Sequence, residues 1–152
     1  MEASQPEVQI EQRRGYRALI VEDDRAILRL VKTILEREGF VVEGVADGAA
    51  AIGLLREVAY DLLIVDLLLP KVSGDEVLGF VEQHRPEKLR RVILTTASPR
   101  QISNDLLNKI CRVLAKPFDV DQLVVYAREC ASPDGDCEPV KTAGPNPPLP
   151  AA

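Results

Sequence analysis

DLLIVD (61–66) sets four consecutive apolar residues between two aspartates. Leu62, Leu63, Ile64 and Val65 leave no polar position for a wet face, so the run is too apolar for a half-exposed strand and too short for a buried helix. A strand over 61–65, covered on both faces, fits, and such strands belong to parallel sheets. Asp66 then stands just beyond its end. Working outward, RALIV (17–21), FVVEGV (40–45), RVILT (91–95) and CRVLA (111–115) are further short apolar runs rich in β-branched residues.

The segments between these runs have helical character. After Asp24, Ile27, Leu28, Leu30, Val31, Ile34 and Leu35 trace an apolar stripe of helical period, and Gly39 is placed to stop it. Asp47 is positioned to cap a helix over GAAAIGLLREV. Pro70 and Gly74 mark a loop before a helix over 75–84, which Pro86 halts. PRQISNDLLNKI (99–110) is a weaker helix opened by Pro99, and 119–130 is the last. Strict alternation of strand and helix predicts an α/β fold, a doubly wound five-stranded parallel sheet of flavodoxin-like order 2-1-3-4-5 with right-handed crossovers.

The tails differ from this middle. Residues 1–15 are polar and aperiodic, and 132–152 are dense in Pro and Gly, so both are expected to be disordered around one domain at 16–131. With no Trp, Val, Leu and Ile must build the core. A formal net charge of −5 argues against direct nucleic-acid binding. No run approaches the roughly 20 apolar residues of a membrane span, and the N-terminus lacks signal-peptide character, so a cytoplasmic location without membrane insertion is expected. The three cysteines form no CxxC pair and their count is odd, which predicts no disulfide framework: Cys111 and Cys130 as structural thiols and Cys137 loose in the tail.

In that strand order the C-terminal strand ends meet at the switch point between the first and third strands, where ligands of such sheets bind. Glu22 and Asp23 follow the first strand, Asp66 the third, Thr96 the fourth and Lys116 the fifth. Carboxylates crowded together repel and need a positive partner. A hard divalent cation, Mg²⁺, suits oxygen ligands of this kind, and Lys116 adds a second positive charge. A carboxylate between a cation and an ammonium is placed to attack phosphorus, because both neutralise charge on a transferring phosphoryl group. The Thr96 hydroxyl can bond a phosphoryl oxygen.

ALIVEDD (18–24), DLLIVDLLLPKVSG (61–74), VILTTAS (92–98) and LAKPFD (114–119) resemble, in order and spacing, the four signatures of the response-regulator receiver domain of two-component signalling, over about residues 16–130. The resemblance implies Asp66 as phosphoacceptor, Asp23 as a direct Mg²⁺ ligand and Glu22 as one acting through water. It also implies the Leu68 carbonyl as a further ligand, Thr96 as switch hydroxyl, Lys116 as partner of the phosphoryl group and a cis Lys116–Pro117 bond. The donor would be a sensor histidine kinase or a histidine phosphotransfer protein. Two positions depart from the pattern. Val113 stands where many receivers carry an aromatic switch partner, and Lys109-Ile110 replaces a small Gly-Ala pair. Leu68 puts an apolar side chain where a polar one could orient an attacking water, from which slow self-dephosphorylation is expected.

Blander readings take the remaining residues. Asp24 reads as a helix cap, Thr95 as pointing into the core or to the sheet's other side, His84 as a surface or helix-terminal residue and Gly74 as a turn. The expectation is therefore a stand-alone response regulator, not an enzyme, signalling through contact with a downstream protein and open to homodimerisation. A phosphatase of haloacid-dehalogenase type would need an acid two residues after its nucleophile, where this chain has Leu68. A phosphate-independent interaction module would be expected to have lost an acid or the lysine, and all are present.

Overall fold

The computed structural model describes residues 15–69 and 73–131; the expected tails, apart from residue 15, lie outside them. Five parallel strands form one sheet in the order β2-β1-β3-β4-β5, as the sequence predicts. They are β1 Arg17–Val21, β2 Val41–Val45, β3 Leu62–Asp66, β4 Val92–Thr96 and β5 Arg112–Ala115. The helices are α1 Arg25–Arg37, α2 Gly48–Glu57, α3 Gly74–His84, α4 Asn104–Leu107 and α5 Val120–Ala131.

Alternation along each strand divides the core into two. Ala18, Ile20, Leu62 and Ile64 face the layer with Val31 and Leu35 of α1 and Leu123 and Ala127 of α5. Leu19, Val21, Leu63 and Val65 face Ala51 of α2 and Val77 and Val81 of α3. Every residue of β3 and β4 is buried, which is why those runs tolerate no polar position before their ends.

Helix starts follow the predicted caps. The Asp24 carboxylate accepts from the Ala26 and Ile27 amides at 2.9 and 3.1 Å, and Asp47 accepts from Ala50 at 2.8 Å. Gly39, with φ 97°, takes the left-handed position past the end of α1.

Three expectations need correcting. The helix expected over 99–110 is a 3₁₀ turn at Pro99–Gln101 followed by the single turn of α4. Ser103 explains the break, because its hydroxyl accepts from the Leu106 amide at 3.1 Å and starts a new helix there. Gly74 is not a turn residue but the first residue of α3, buried against the end of β3. A Cβ there would lie 2.5 Å from the Asp66 carbonyl oxygen and 2.8 Å from Leu67 Cα, so only glycine lets the helix start this close to the strand.

The third correction concerns the cysteines. Cys111 and Cys130, both fully buried, are joined in a disulfide with Cα atoms 6.0 Å apart. Cys111 precedes β5 and Cys130 lies near the end of α5. A strand and the antiparallel helix that follows it return the chain to the same sheet edge, and this brings together two residues 19 apart. Closing a loop of that length constrains the unfolded chain by roughly 3 kcal/mol. Reduction should therefore lower the unfolding free energy by about 3 kcal/mol, as measured by urea denaturation with and without dithiothreitol. Cys130→Ser should match the reduced wild type, and a transition unmoved by reductant would refute the bridge.

Candidate functional site

Sheet order and strand length bring the five residues singled out in the sequence to one edge. Glu22 and Asp23 follow β1 directly, Asp66 ends β3, Thr96 ends β4 and Lys116 follows β5. Glu22, Asp66 and Thr96 are buried, whereas Asp23 is exposed. One carboxylate oxygen from each of Glu22, Asp23 and Asp66 lies within 4.8 Å of the others.

Lys116 Nζ joins two of these acids. It donates to Glu22 Oε1 at 2.9 Å and to Asp66 Oδ2 at 3.1 Å. The Lys116 amide donates to the Thr96 carbonyl at 2.8 Å, which fixes the residue against β4, and the following Lys116–Pro117 bond is cis. Burial alone would depress the ammonium, but hydrogen bonds to Glu22 and Asp66, reinforced by their charges, outweigh it and hold Lys116 above its ordinary pKa. Glu22 is also raised. Burial is the main cause and the Asp66 charge adds to it, against the bonds from Lys116 and the Asp24 amide.

Backbone groups that residue identity does not announce complete the site. The Leu68 amide donates to Asp66 Oδ1 at 3.1 Å and the Asp24 amide to Glu22 Oε2 at 3.1 Å. The Ser98 amide donates to Thr96 Oγ1 at 3.0 Å, which leaves the hydroxyl hydrogen for another acceptor. Leu68 thus contributes an amide that holds Asp66, while the residue as a whole is 64% exposed. Thr95 is buried and pairs with Asp66 across the β3–β4 ladder, Asp24 is a cap, and His84 sits exposed in the last turn of α3.

Oxygen donors from three carboxylates suit a hard divalent cation such as Mg²⁺, so Glu22, Asp23 and Asp66 could hold one. The response-regulator receiver domain profile matches residues 18–128. The chain belongs to the response-regulator receiver family of two-component systems.

Its relatives agree. The transcriptional regulatory protein CpxR of Escherichia coli is 35% identical over 112 residues, covering 72% of this chain and 47% of CpxR. The response regulator TrrA of Thermotoga maritima, solved in complex with Mg²⁺ and BeF, superposes with a TM-score of 0.68 at 28% identity, covering 76% of this chain and 98% of that one. The receiver domain of a sensor histidine kinase from Pseudomonas aeruginosa, with a magnesium ion coordinated in its active-site cleft, gives 0.68 at 25% identity, covering 77% and 98%. The chain spans between about a fifth and a half of the length of the curated relatives it matches. Among the described residues no helix is long and apolar enough to cross a membrane.

The raised Glu22 pKa fixes a sign. The folded protein binds this proton more tightly than the unfolded chain, so in EDTA the Glu22 contribution to stability falls as pH rises from the ordinary carboxylate value of 4.5 through its raised one. Unfolding free energies across that interval should decline less steeply for Glu22→Gln than for wild type. Parallel curves would remove Glu22 as the source.

Proposed function

We propose that this receiver domain accepts a phosphoryl group on Asp66 from a sensor histidine kinase or histidine phosphotransfer protein. One observation carries the reading: Lys116 Nζ lies 3.1 Å from Asp66 Oδ2 and 2.9 Å from Glu22 Oε1. That arrangement pairs the buried Asp66 carboxylate with an ammonium and sets a cation where the transferred group must arrive.

In the transfer, an Asp66 oxygen attacks phosphorus, the bond from phosphorus to the donor histidine nitrogen breaks, and that nitrogen leaves with the electron pair. The Leu68 amide and Lys116 orient the Asp66 carboxylate, and in-line approach of the donor supplies the remainder of the positioning. The Thr96 hydroxyl is free to donate to an oxygen of the incoming group. A divalent cation held by Glu22, Asp23 and Asp66, with the Leu68 carbonyl as a further ligand, would neutralise phosphoryl charge. Mg²⁺ is the proposed ion, from the donor set and from its presence in TrrA and the Pseudomonas aeruginosa receiver.

The product is a state to be read by another protein and not a turned-over substrate, since Leu68 offers no acid to a leaving group. The proposed reading surface is α4, β5 and α5, about residues 97–130. Val120 and Val125 of α5 are 40% and 48% exposed and give it apolar contact area. A partner or a second copy of the chain would bind there. A cytoplasmic location is part of the same proposal. The disulfide pulls against a reducing compartment, although complete burial of both sulfurs shields it from thiol exchange.

Intact mass after incubation with acetyl phosphate and Mg²⁺ tests the transfer. One base-labile phosphoryl adduct is expected on wild type and none on Asp66→Asn or without Mg²⁺. Failure of folded wild type to label, with a phosphorylated phosphotransfer donor as well, would leave a phosphate-independent interaction module. The phosphorylated form should also be long-lived, because the exposed Leu68 side chain cannot orient water. Leu68→Asn should shorten its half-life several-fold by phosphate release, and an unchanged or longer half-life would sink that explanation.

A further inference from the structure

A second concavity lies at the opposite edge of the sheet, between α2 and α3 where the chain enters β3. It measures about 470 Å³, within the range of about 300–1,000 Å³ typical of small-molecule sites. Leu63, Val81 and Phe80 line it with apolar surface, the first two almost fully buried. Arg56, His84, Arg85 and Lys88 also line it, and no carboxylate does.

Three nearby acids are committed elsewhere, and Glu57 and Glu87, next to the lining in the chain, are exposed and do not line the cavity. Glu43 accepts from the Tyr60 hydroxyl, Asp61 accepts from the Arg17 amide at 2.8 Å, and Glu82 pairs with Lys109 at 2.6 Å. Among the described residues neither Arg56 nor Arg85 has a carboxylate partner. The cavity therefore concentrates positive charge over an apolar lining, which is unusual in a chain of net charge −5.

Its aromatic wall is organised. The His84 ring stacks on Phe80 with centroids 4.1 Å apart and an interplanar angle of 24°, and its Nδ1 lies 3.0 Å from the Phe80 carbonyl. The Arg56 guanidinium lies 5.6 Å from the Phe80 ring centroid, and Lys88 Nζ is held by the Tyr60 carbonyl at 3.0 Å. The exposed His84 ring and the cations of Arg56, Arg85 and Lys88 occur together, so a flat ring can stack on the imidazole while its charged group meets the cations.

We propose that this cavity binds a small planar aromatic anion, a ring system carrying a carboxylate, sulfonate or phosphate. A concave site of this volume favours a small molecule over an acidic peptide or a membrane surface, which would need an extended flat patch. The site uses none of the residues around Asp66, so it stands or falls independently of phosphoryl transfer.

The test is titration of the full chain with three probes, followed by amide NMR shifts. Anilinonaphthalene sulfonate represents an aryl acid, adenosine monophosphate a nucleotide, and uncharged anilinonaphthalene the ring alone. At least one anionic probe should saturate with shifts confined to α2, α3 and the start of β3. The tighter of the two identifies the source, aryl acid or nucleotide. Arg56→Gln/Arg85→Gln, two exposed positions whose exchange should leave the fold intact, should weaken binding about tenfold, as loss of hydrogen bonds to a charged group implies. Acetyl phosphate labelling of that variant should match wild type. The proposal is overturned by no saturable binding of either anion, by equal affinity for the uncharged probe, by shifts centred elsewhere, or by undiminished binding to the double variant.

Discussion

The ammonium of Lys116, shared between Glu22 and Asp66, is the interaction on which the functional edge depends. Carboxylates a few ångströms apart repel by roughly 4 kcal/mol per pair at an effective dielectric near 20, and here three come together. Lys116 touches two of them. Three carboxylates and one ammonium leave two negative charges, the amount that one divalent cation cancels. The third acid, Asp23, is exposed and makes no contact with Lys116, so the uncompensated charge lies toward solvent, where an ion can enter. The site is preorganised on its buried side and left deficient on its open side, and a phosphoryl group on Asp66, as proposed, would add further negative charge to that deficiency.

Only the sheet can bring this about. Lys116 lies 94 residues from Glu22 and 50 from Asp66 in the chain. Parallel strands with right-handed crossovers all end at the same edge, and the 2-1-3-4-5 order puts β1 and β3 side by side. The two apolar layers that lock this order, Ile20 and Ile64 on one face and Leu19 and Leu63 on the other, thereby also set the spacing of Glu22 and Asp66. Gly74 tightens the same region, letting α3 begin almost in contact with the Asp66 backbone. Core packing and site geometry are here one constraint.

Strand order, helix caps and the convergence of Glu22, Asp23, Asp66, Thr96 and Lys116 on one edge were legible because each depends on residue type: β-branched runs, Asp at a cap, acids and a lysine at strand ends. What escaped was carried by groups that every residue possesses. The amides of Asp24, Leu68 and Ser98 hold Glu22, Asp66 and Thr96, and no side-chain pattern announces them. The helix over 99–110 misled because Pro99 and the later leucines fit a helix, while Ser103 in the middle gave the backbone a local competitor. The disulfide misled for a different reason. An odd cysteine count says nothing about which two of three meet, and residues 19 apart meet only once the β5–α5 return is known.

That bridge bears on how the domain could switch. It anchors the C-terminal end of α5 to the entrance of β5, at the edge far from Asp66. Arg91 adds a second tie there by donating to the Cys130 carbonyl at 2.9 Å. At the other end, α5 begins just past Lys116 and Pro117, with exposed apolar Val120 at that end and Val125 at mid-helix. A helix fixed at one terminus and linked to the site at the other can change its surface by tilting about the fixed end, without giving up its buried residues Leu123 and Ala127. Val113 in β5 is too small and apolar to relay a change by swinging a ring, so Thr96 has no aromatic partner at that position to move. A charge placed on Asp66 would meet Lys116 first, whose amide is bonded to the Thr96 carbonyl of β4 and whose chain leads into α5.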